Sequence, residues 1–224
     1  MIPRVLLDTA IIPGSKESLR LIQRGSEFSI MLGGNELMNS RLSGSEEALA
    51  TLACAKIAAR AKPRLLIGGL GMGFTLRAAL AVLGDDAEIV VSELVPAVVA
   101  WAQGQMADLH GDSLSDARTR VVIGDVANLI RDANNSYDII MLDVDNGPDG
   151  LTKNANDHLY STQGLARASA ALRPNAVLAI WSAAPDKAFA ARFRNSGFDV
   201  EEKEVRAHKG RSGARHVIWL GTKR

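Results

Sequence analysis

Cysteine is almost absent from this sequence, and its scarcity excludes two kinds of site. Cys54 is the only cysteine, so the chain cannot form an internal disulfide. A metal site built from several thiolates is excluded as well, and the four histidines are scattered without ligand spacing. Cys54 lies in an apolar, helix-like segment, which predicts a buried structural thiol. We therefore expect no metal site.

A charge imbalance and a long apolar run are also missing. Lys and Arg together number 26, against 25 for Asp and Glu, so no nucleic-acid or membrane surface is indicated. The basic residues between 206 and 215 lack interleaved aromatic residues and are interpreted as a solvated hairpin tip. No stretch reaches the roughly 18 apolar residues of a membrane span, and the start lacks the pattern of a signal peptide. We expect a cytoplasmic protein.

The first part of the chain predicts a small β unit. Apolar residues alternate over 19–23 and again over 28–32, on either side of Gly25, which is typical of a β-hairpin. Ser43 and Glu46 then fit a capping box for a helix over 46–60. We divide the chain into an N-terminal β-hairpin unit, 1–44, and a larger second domain, 45–224.

From Pro63 onward, short apolar runs alternate with helical segments. Five such runs predict buried strands, at 64–67, 89–92, 121–123, 139–142 and 176–181. Continuous apolar strands separated by helices indicate a mostly parallel sheet covered on both faces. The last two strands, 198–205 and 216–220, have no helix between them and predict an antiparallel hairpin. The fold class is therefore α/β and methyltransferase-like (Rossmann-like), with ligands expected at the carboxyl ends of the parallel strands.

A glycine-rich loop follows the first parallel strand. Its residues are Gly69, Leu70, Gly71, Met72 and Gly73. Glycines at a strand-to-helix junction allow a sharp turn and close approach of a ligand to the backbone. The dinucleotide pattern Gly-x-Gly-x-x-Gly fails at Phe74, whereas Gly-x-Gly-x-Gly is typical of methyltransferase-like folds. We interpret the loop as a cradle for S-adenosylmethionine or a related nucleoside.

Carboxylates stand at the ends of the second and third parallel strands. Glu93, followed by Leu94, lies 20 positions after Gly73 (93 − 73 = 20), close to the spacing of an acid that binds ribose hydroxyls. Its alternative role is a helix-start carboxylate. Asp125 can accept from an adenine amino group while Val126 contacts the ring, and Asp125 is also a favoured N-cap. The two oxygens of this carboxylate can accept from the adenine amino group and from a backbone N–H of the following helix at the same time.

The fourth parallel strand ends in Asp143-Val144-Asp145-Asn146-Gly147-Pro148, ahead of a long loop. Long loops in compact domains are often functional. We predict that Asp143 and Asp145 face the reactive end of the ligand, where they hold a cationic amine and assist its deprotonation. The alternative is a solvated loop with an Asp cap. Trp181, at the end of the fifth strand, can border the same cleft.

These motifs together resemble the spermidine synthase family of aminopropyltransferases over most of the chain. The resemblance rests on the N-terminal hairpin, Ser45-Glu46-Glu47-Ala48, the glycine loop, Glu93, Asp125, the Asp143 loop and the terminal strand pair. It implies a methyltransferase sheet with an added N-terminal β unit, usually as a homodimer. It also implies decarboxylated S-adenosylmethionine as co-substrate and an amine as acceptor, with Glu93 on the ribose, Asp125 on the adenine and the later acids on the amine.

The sequence departs from the family pattern at three places. Gly71 stands where the family carries an aspartate for the aminopropyl ammonium, and Leu49-Ala50 replaces a Tyr-Gln pair. The Asp-Ser-Ser-Asp-Pro motif is contracted, so the base is either Asp143 or Asp145. Three hypotheses remain: an aminopropyltransferase, a small-molecule methyltransferase, which needs no acid at 71, and a non-catalytic nucleoside-binding protein.

Overall fold

The N-terminal part of the chain forms a four-stranded antiparallel sheet. The computed structural model describes residues 2–144, 158–208 and 213–224. The strands pair in chain order and are β1 (Val5–Ile11), β2 (Ser18–Arg24), β3 (Glu27–Leu32) and β4 (Asn35–Asn39). The predicted hairpin is confirmed as β2 and β3, with Gly25 at φ 63° in the turn. The sheet also contains β1 and β4, which the sequence prediction did not assign.

A seven-stranded sheet forms the rest of the framework. Its strands are β5 (Arg64–Gly68), β6 (Glu88–Glu93), β7 (Thr119–Ile123), β8 (Tyr137–Leu142), β9 (Leu172–Ser182), β10 (Phe198–Arg206) and β11 (Arg215–Lys223). The order across the sheet is β10-β11-β9-β8-β5-β6-β7. Strands β5 to β9 are parallel, whereas β11 pairs antiparallel with both β9 and β10. The predicted fold class and the C-terminal hairpin are both confirmed.

Seven α-helices and one 3₁₀ turn are described. They are α1 (Gly44–Ala55), α2 (Phe74–Val82), α3 (Pro96–Gln103), α4 (Ala107–His110), the turn Gly111–Leu114, α5 (Val126–Arg131), α6 (Thr162–Ala171) and α7 (Lys187–Asn195). Pro96 opens α3, where its fixed φ and missing N–H are tolerated. The side chains of Asp125, Ser161 and Asp186 accept from backbone N–H groups and cap the last three helices.

Buried side chains form one core on each face of the large sheet. Along β5, Leu65 and Ile67 belong to one core and Leu66 to the other, as the alternation of a strand requires. The first core also contains Leu21 and Ile30 of the small sheet. The two sheets therefore share buried apolar surface.

The start of α1 differs from the prediction. Helix α1 covers 44–55 rather than 46–60, and Ser43 makes no side-chain capping bond, so the capping box is wrong. The Oγ of Ser45 instead donates to Glu46 Oε2 over 2.6 Å. Because that hydroxyl is completely buried, it bonds within the protein rather than to water.

Two further expectations concern Cys54 and the membrane. Cys54 is buried, and burial raises the pKa of its thiol to about 12, so the structural interpretation is confirmed. Among the residues with described structure, no helix combines the length and the apolar character needed to cross a bilayer.

Candidate active site

A cavity of about 720 Å³ lies at the carboxyl ends of the parallel strands. One wall comes from the loops that follow β5, β6, β7 and β8. The other comes from the small sheet and the turn between its first two strands, including Pro13, Leu32 and Met38. A concave, mostly apolar site with a few polar groups at this edge of an α/β sheet is the usual setting for a small-molecule ligand.

The glycine loop lines the cavity along its whole length, 69–73, as predicted. Gly69 has φ 91°, and a Cβ there would lie 2.5 Å from the Asp143 carbonyl oxygen. Gly73 has φ 76°, and a Cβ there would lie 2.5 Å from Nδ1 of His110. Any side chain at either position would force the loop or its support to move, so these glycines fix the shape of the cradle.

Gly71 faces the small sheet. A Cβ added to it would lie 2.9 Å from Sδ of Met38, and its φ of 49° disfavours a side chain. The aspartate that the family resemblance implies at this position would therefore meet Met38. Where that acid is expected, the cavity wall is apolar.

Glu93 is 7% exposed and lines the cavity at the end of β6. Its Oε2 accepts from Leu70 N–H and its Oε1 from Val95 N–H, both over 2.9 Å. The first bond ties the carboxylate to the glycine loop and the second ties it to the start of α3. The predicted helix-start role is thus present, and the carboxylate stands in the cavity wall.

Asp125 and Val126 line the cavity at the end of β7. Oδ1 of Asp125 accepts from Ala127 N–H over 2.8 Å and caps α5, which confirms the N-cap expectation. Its second carboxylate oxygen makes no such capping bond. Leu94 also lines the cavity and is 40% exposed.

Asp143 lies at the end of β8, in the cavity wall. Its Oδ2 accepts from the Thr75 hydroxyl over 2.6 Å. Burial and the nearby Glu46 carboxylate raise the pKa of Asp143 to about 7, against the opposing effect of the Thr75 bond. Asp145, the other predicted catalytic acid, lies outside the described residues.

Glu46 is a cavity residue that sequence reasoning missed. Burial raises the pKa of its carboxyl, while the bond from Ser45 opposes that shift. The Thr75 hydroxyl is also 3.4 Å from the backbone carbonyl oxygen of Glu46, and the Glu46 carboxylate is near enough to raise the pKa of Asp143. The first turn of α1 therefore places a second acid beside Asp143. In the sequence, Glu46 belongs to the proposed capping box and to the Ser45-Glu46-Glu47-Ala48 motif of the family resemblance, and neither assigned it to the site.

The three tryptophans occupy two kinds of position. Trp101 and Trp219 are in the core, as expected. Trp181 lines the cavity, which confirms that it borders the cleft. Within the described part of the chain, no cluster of three or more His, Cys, Asp or Glu side chains is arranged to hold a metal ion.

The fold and the cavity together define an α/β protein of the methyltransferase-like class. Residues 44–187 match the family model described as the spermine/spermidine synthase domain. Because this match covers more than half of the chain, the protein belongs to the spermine/spermidine synthase family.

Curated relatives agree with this assignment. The chain is 27% identical over 121 residues to a polyamine aminopropyltransferase of Sulfolobus acidocaldarius, covering 54% of this chain and 38% of that protein. It is 32% identical over 128 residues to a polyamine aminopropyltransferase of Mycobacterium tuberculosis, and this match covers 56% of this chain and 23% of that protein. The chain therefore spans well under half the length of these relatives.

Solved structures show the same fold. A spermidine synthase in complex with the transition state analogue AdoDATO matches with a TM-score of 0.75 at 16% identity, over 98% of this chain and 72% of that one. The spermidine synthase of Thermotoga maritima matches with a TM-score of 0.72 at 16% identity, over 98% and 73%. These likenesses establish the architecture, including the small N-terminal sheet.

Proposed function

We propose that this protein transfers an aminopropyl group from decarboxylated S-adenosylmethionine to a small amine. The observation that carries the proposal is the position of Asp143. Its carboxyl lies in the same cavity as the glycine loop, Glu93 and Asp125, and its pKa is raised to about 7. Membership of the spermine/spermidine synthase family supports this reaction class.

The nucleoside part of the donor fits the side of the cavity formed by the large sheet. Glu93 is fixed by two backbone N–H groups and would accept from the ribose hydroxyls. Asp125 would accept from the adenine amino group with its second oxygen, while Val126 packs against the ring. The glycine loop would lie along the backbone of the nucleoside without steric conflict.

For this reaction the protein needs mainly to position the amine and to remove its proton. The carbon next to a sulfonium is already activated, so the protein aligns the amine and excludes water. The amine attacks only when neutral, and a carboxylate with a pKa near the working pH is suited to take its proton. Asp143 would act as that base. Glu46 beside it adds a second negative charge that attracts the cationic amine.

A second candidate is methyl transfer from S-adenosylmethionine. The specific observation in its favour is Gly71, whose surroundings hold Met38 instead of an acid. S-adenosylmethionine keeps a carboxylate that an aspartate at 71 would repel, and a glycine there does not. The same adenosine contacts serve both donors.

Calorimetry separates these proposals. S-adenosylmethionine, its decarboxylated form and methylthioadenosine would each be titrated into the purified protein, and products with putrescine as the trial amine would be identified by mass spectrometry. Preference for the decarboxylated donor and an aminopropylated product are expected. Preference for the carboxylated donor with a methylated product would replace the first proposal by the second. Binding without any product would leave a non-catalytic nucleoside-binding protein, and no binding would refute the nucleoside site.

Glu93→Gln tests the binding mode. We expect it to weaken nucleoside binding by about 1–3 kcal/mol, because charge-assisted bonds to the ribose are lost. Glu88→Gln, at the exposed start of the same strand, is the matched control and should bind as the wild type does. Thermal melting of both variants checks that the fold is retained. Unchanged affinity in a folded Glu93→Gln protein would reduce Glu93 to a helix-start residue.

We also propose a homodimer, as the family resemblance implies. Three large apolar side chains of β1, the outer strand of the small sheet, support it: Val5, Leu6 and Ile11 are 50%, 56% and 72% exposed. Exposed apolar side chains grouped on one strand are typical of an association surface. Light scattering after size-exclusion chromatography should give twice the mass of one chain for the wild type. The Leu6→Lys variant should have the mass of a single chain. A wild-type monomer at all concentrations would contradict the dimer.

A further inference from the structure

A row of hydrogen-bonded side chains leads away from the cavity. Glu46 lines the cavity, and its Oε2 is 2.6 Å from Oγ of Ser45. Oγ of Ser45 is in turn 2.9 Å from Nδ1 of His216. Ser45 is fully buried, whereas His216 is partly exposed. The row therefore connects a cavity acid to a side chain that reaches solvent.

Distant parts of the chain build this row. Ser45 and Glu46 belong to the first turn of α1, whereas His216 is on β11, 171 residues from Ser45. The His216 ring packs edge-on against Trp181, with centroids 4.8 Å apart and planes at 74°. Since Trp181 also lines the cavity, the imidazole is held between the cavity wall and the serine.

The proposed reaction releases one proton in each turnover. The neutral amine nitrogen forms a bond to the carbon beside sulfur, and the electrons of the broken C–S bond convert the sulfonium to a thioether. The proton removed from the incoming ammonium remains on the cavity carboxylates. Because Asp143 and Glu46 are close enough for their charges to interact, one proton can be shared between them. It must leave before the next amine is deprotonated.

We propose that Ser45 and His216 carry this proton from Glu46 to solvent. This inference rests on the proposed group transfer. It assigns Ser45 and His216 as relay residues, which act through Glu46 and Asp143 and do not touch the substrate.

The protons balance along the row. With Glu46 protonated, its Oε2–H donates to Ser45 Oγ, and the Ser45 hydroxyl donates to Nδ1 of a His216 that carries its proton on Nε2. Movement of both protons by one bond leaves a Glu46 carboxylate and a His216 imidazolium. Nε2 then gives its proton to water, which leaves the neutral Nδ1–H tautomer beside an ionised Glu46. When Glu46 is protonated in the next turnover, exchange with water returns the ring to the Nε2–H tautomer. Both arrangements use the same heavy-atom positions, since a hydroxyl is both donor and acceptor.

Kinetics with Ser45→Ala is the first test. We expect kcat to fall about tenfold, less than the roughly 100- to 10,000-fold contribution of a direct general base, because the relay acts after the amine has lost its proton. KM for donor and amine should stay within about twofold. Ser43→Ala is the matched control, because the Ser43 side chain makes no capping bond, and it should leave kcat unchanged. His216→Ala should lose a similar factor and regain it when imidazole is added. An unchanged kcat in Ser45→Ala, or a loss in His216→Ala that imidazole does not restore, would overturn the relay.

A second test needs no turnover and so separates the relay from the proposed function. Nitrogen-15 NMR of the neutral His216 ring at pH 8 reports which nitrogen carries the proton. In the wild type an ionised Glu46 should favour the Nδ1–H tautomer. Glu46→Gln places an amide donor on Ser45, so the Nε2–H tautomer should dominate. The same tautomer in both proteins would sink the relay whatever the activity, whereas a tautomer switch without any group transfer would contradict the proposed function alone.

Discussion

At the scale of single residues, the buried position of Asp143 carries an energetic cost. Removal from water disfavours its ionised form, and Glu46 adds like-charge repulsion, so its pKa rises from an ordinary 3.8 to about 7. The native state therefore holds a proton between about pH 4 and 7 that the unfolded chain has lost. Stability linked to this group is fully present below about pH 4 and falls as the pH rises through 7.

Asp143→Asn should remove this loss of folding stability at high pH. The amide keeps an oxygen for the Thr75 hydroxyl but never ionises, so the variant should be more stable than the wild type by about 2 kcal/mol at pH 8 and equal to it near pH 4. Urea unfolding at both pH values measures the difference. Asp199→Asn, on an exposed residue of β10, is the control and should show no such pH dependence. An Asp143→Asn protein with no gain at pH 8 would mean that Asp143 is well solvated.

The packing of Gly73 against His110 gives a second prediction at this scale. Gly73→Ala combines a positive φ with a Cβ 2.5 Å from a ring that is 1% exposed, so it should destabilise the fold by about 2–3 kcal/mol. Gly34→Ala, where a Cβ would meet nothing within 4 Å, should cost less than about 1 kcal/mol. Thermal unfolding of both variants gives the comparison.

Combining Gly73→Ala with His110→Ala identifies the cause. Part of the stability lost in Gly73→Ala comes from collision with the His110 ring and part from backbone strain. Removal of the ring should recover the first part and leave the second. Strictly additive losses in the double variant would show that the two residues do not interact.

At the scale of secondary-structure elements, a buried carboxylate joins strands β8, β5 and β9. Asp138 on β8 is 1% exposed and accepts from Arg60 over 2.5 Å and from Arg173 over 2.7 Å. Its Oδ2 also accepts from the Arg64 backbone N–H over 2.8 Å. One carboxylate thus fixes the segment after α1 and the starts of two neighbouring strands.

Asp138→Ala should cost about 2–3 kcal/mol of stability, because it leaves two guanidinium groups and a backbone N–H without their acceptor. The arginines are 27% and 40% exposed, so water limits the loss. Asp132→Ala, which breaks an exposed pair with Arg131, should leave stability nearly unchanged, because water screens such a pair. Chemical denaturation measures both, and equal effects would contradict the structural role of Asp138.

The central strands of the large sheet were predictable because they are buried on both faces. The segments 65–67 and 139–142 are uninterrupted apolar runs, and Pro96 marks the start of α3. Strands β1 and β4 gave no comparable signal, since β1 is mostly exposed and its apolar side chains do not alternate with polar ones. The capping prediction for α1 failed because Ser45 bonds to Glu46 and His216, a contact that depends on the distant strand β11.

At the scale of the whole molecule, the structure brings the predicted site residues together where their position depends on strand ends. The glycine loop, Glu93, Asp125 and Asp143 meet because the carboxyl ends of parallel strands lie at one edge of a sheet. Glu46, Thr75 and Met38 could not be placed, since their position depends on how α1 and the small sheet pack over that edge. Sequence periodicity identifies elements but does not specify such packing.

Ligand binding should couple the two sheets, because both contribute walls to the cavity. Methylthioadenosine at 100 times its dissociation constant should stabilise the protein by about 3 kcal/mol. Hydrogen exchange should slow in β3 and β4 of the small sheet as well as in the loops after β5 and β6. Protection confined to the large sheet would show that the ligand does not contact the small one, and Glu93→Gln at the same ligand concentration is the control for specific binding.

The two walls of the cavity differ in chemistry, and this difference bears on how the protein can change. The small sheet contributes apolar side chains to the cavity, namely Leu19, Ile30, Leu32, Leu37 and Met38, whereas Glu93, Asp125 and Asp143 come from the large sheet. Substitutions in β2 to β4 can therefore reshape the chamber without altering the carboxylates that would grip the nucleoside and the amine. Under the proposed function, this arrangement would let new acceptors be accommodated while the donor site stays the same, and those five positions would be the targets for a library of variants with altered substrates.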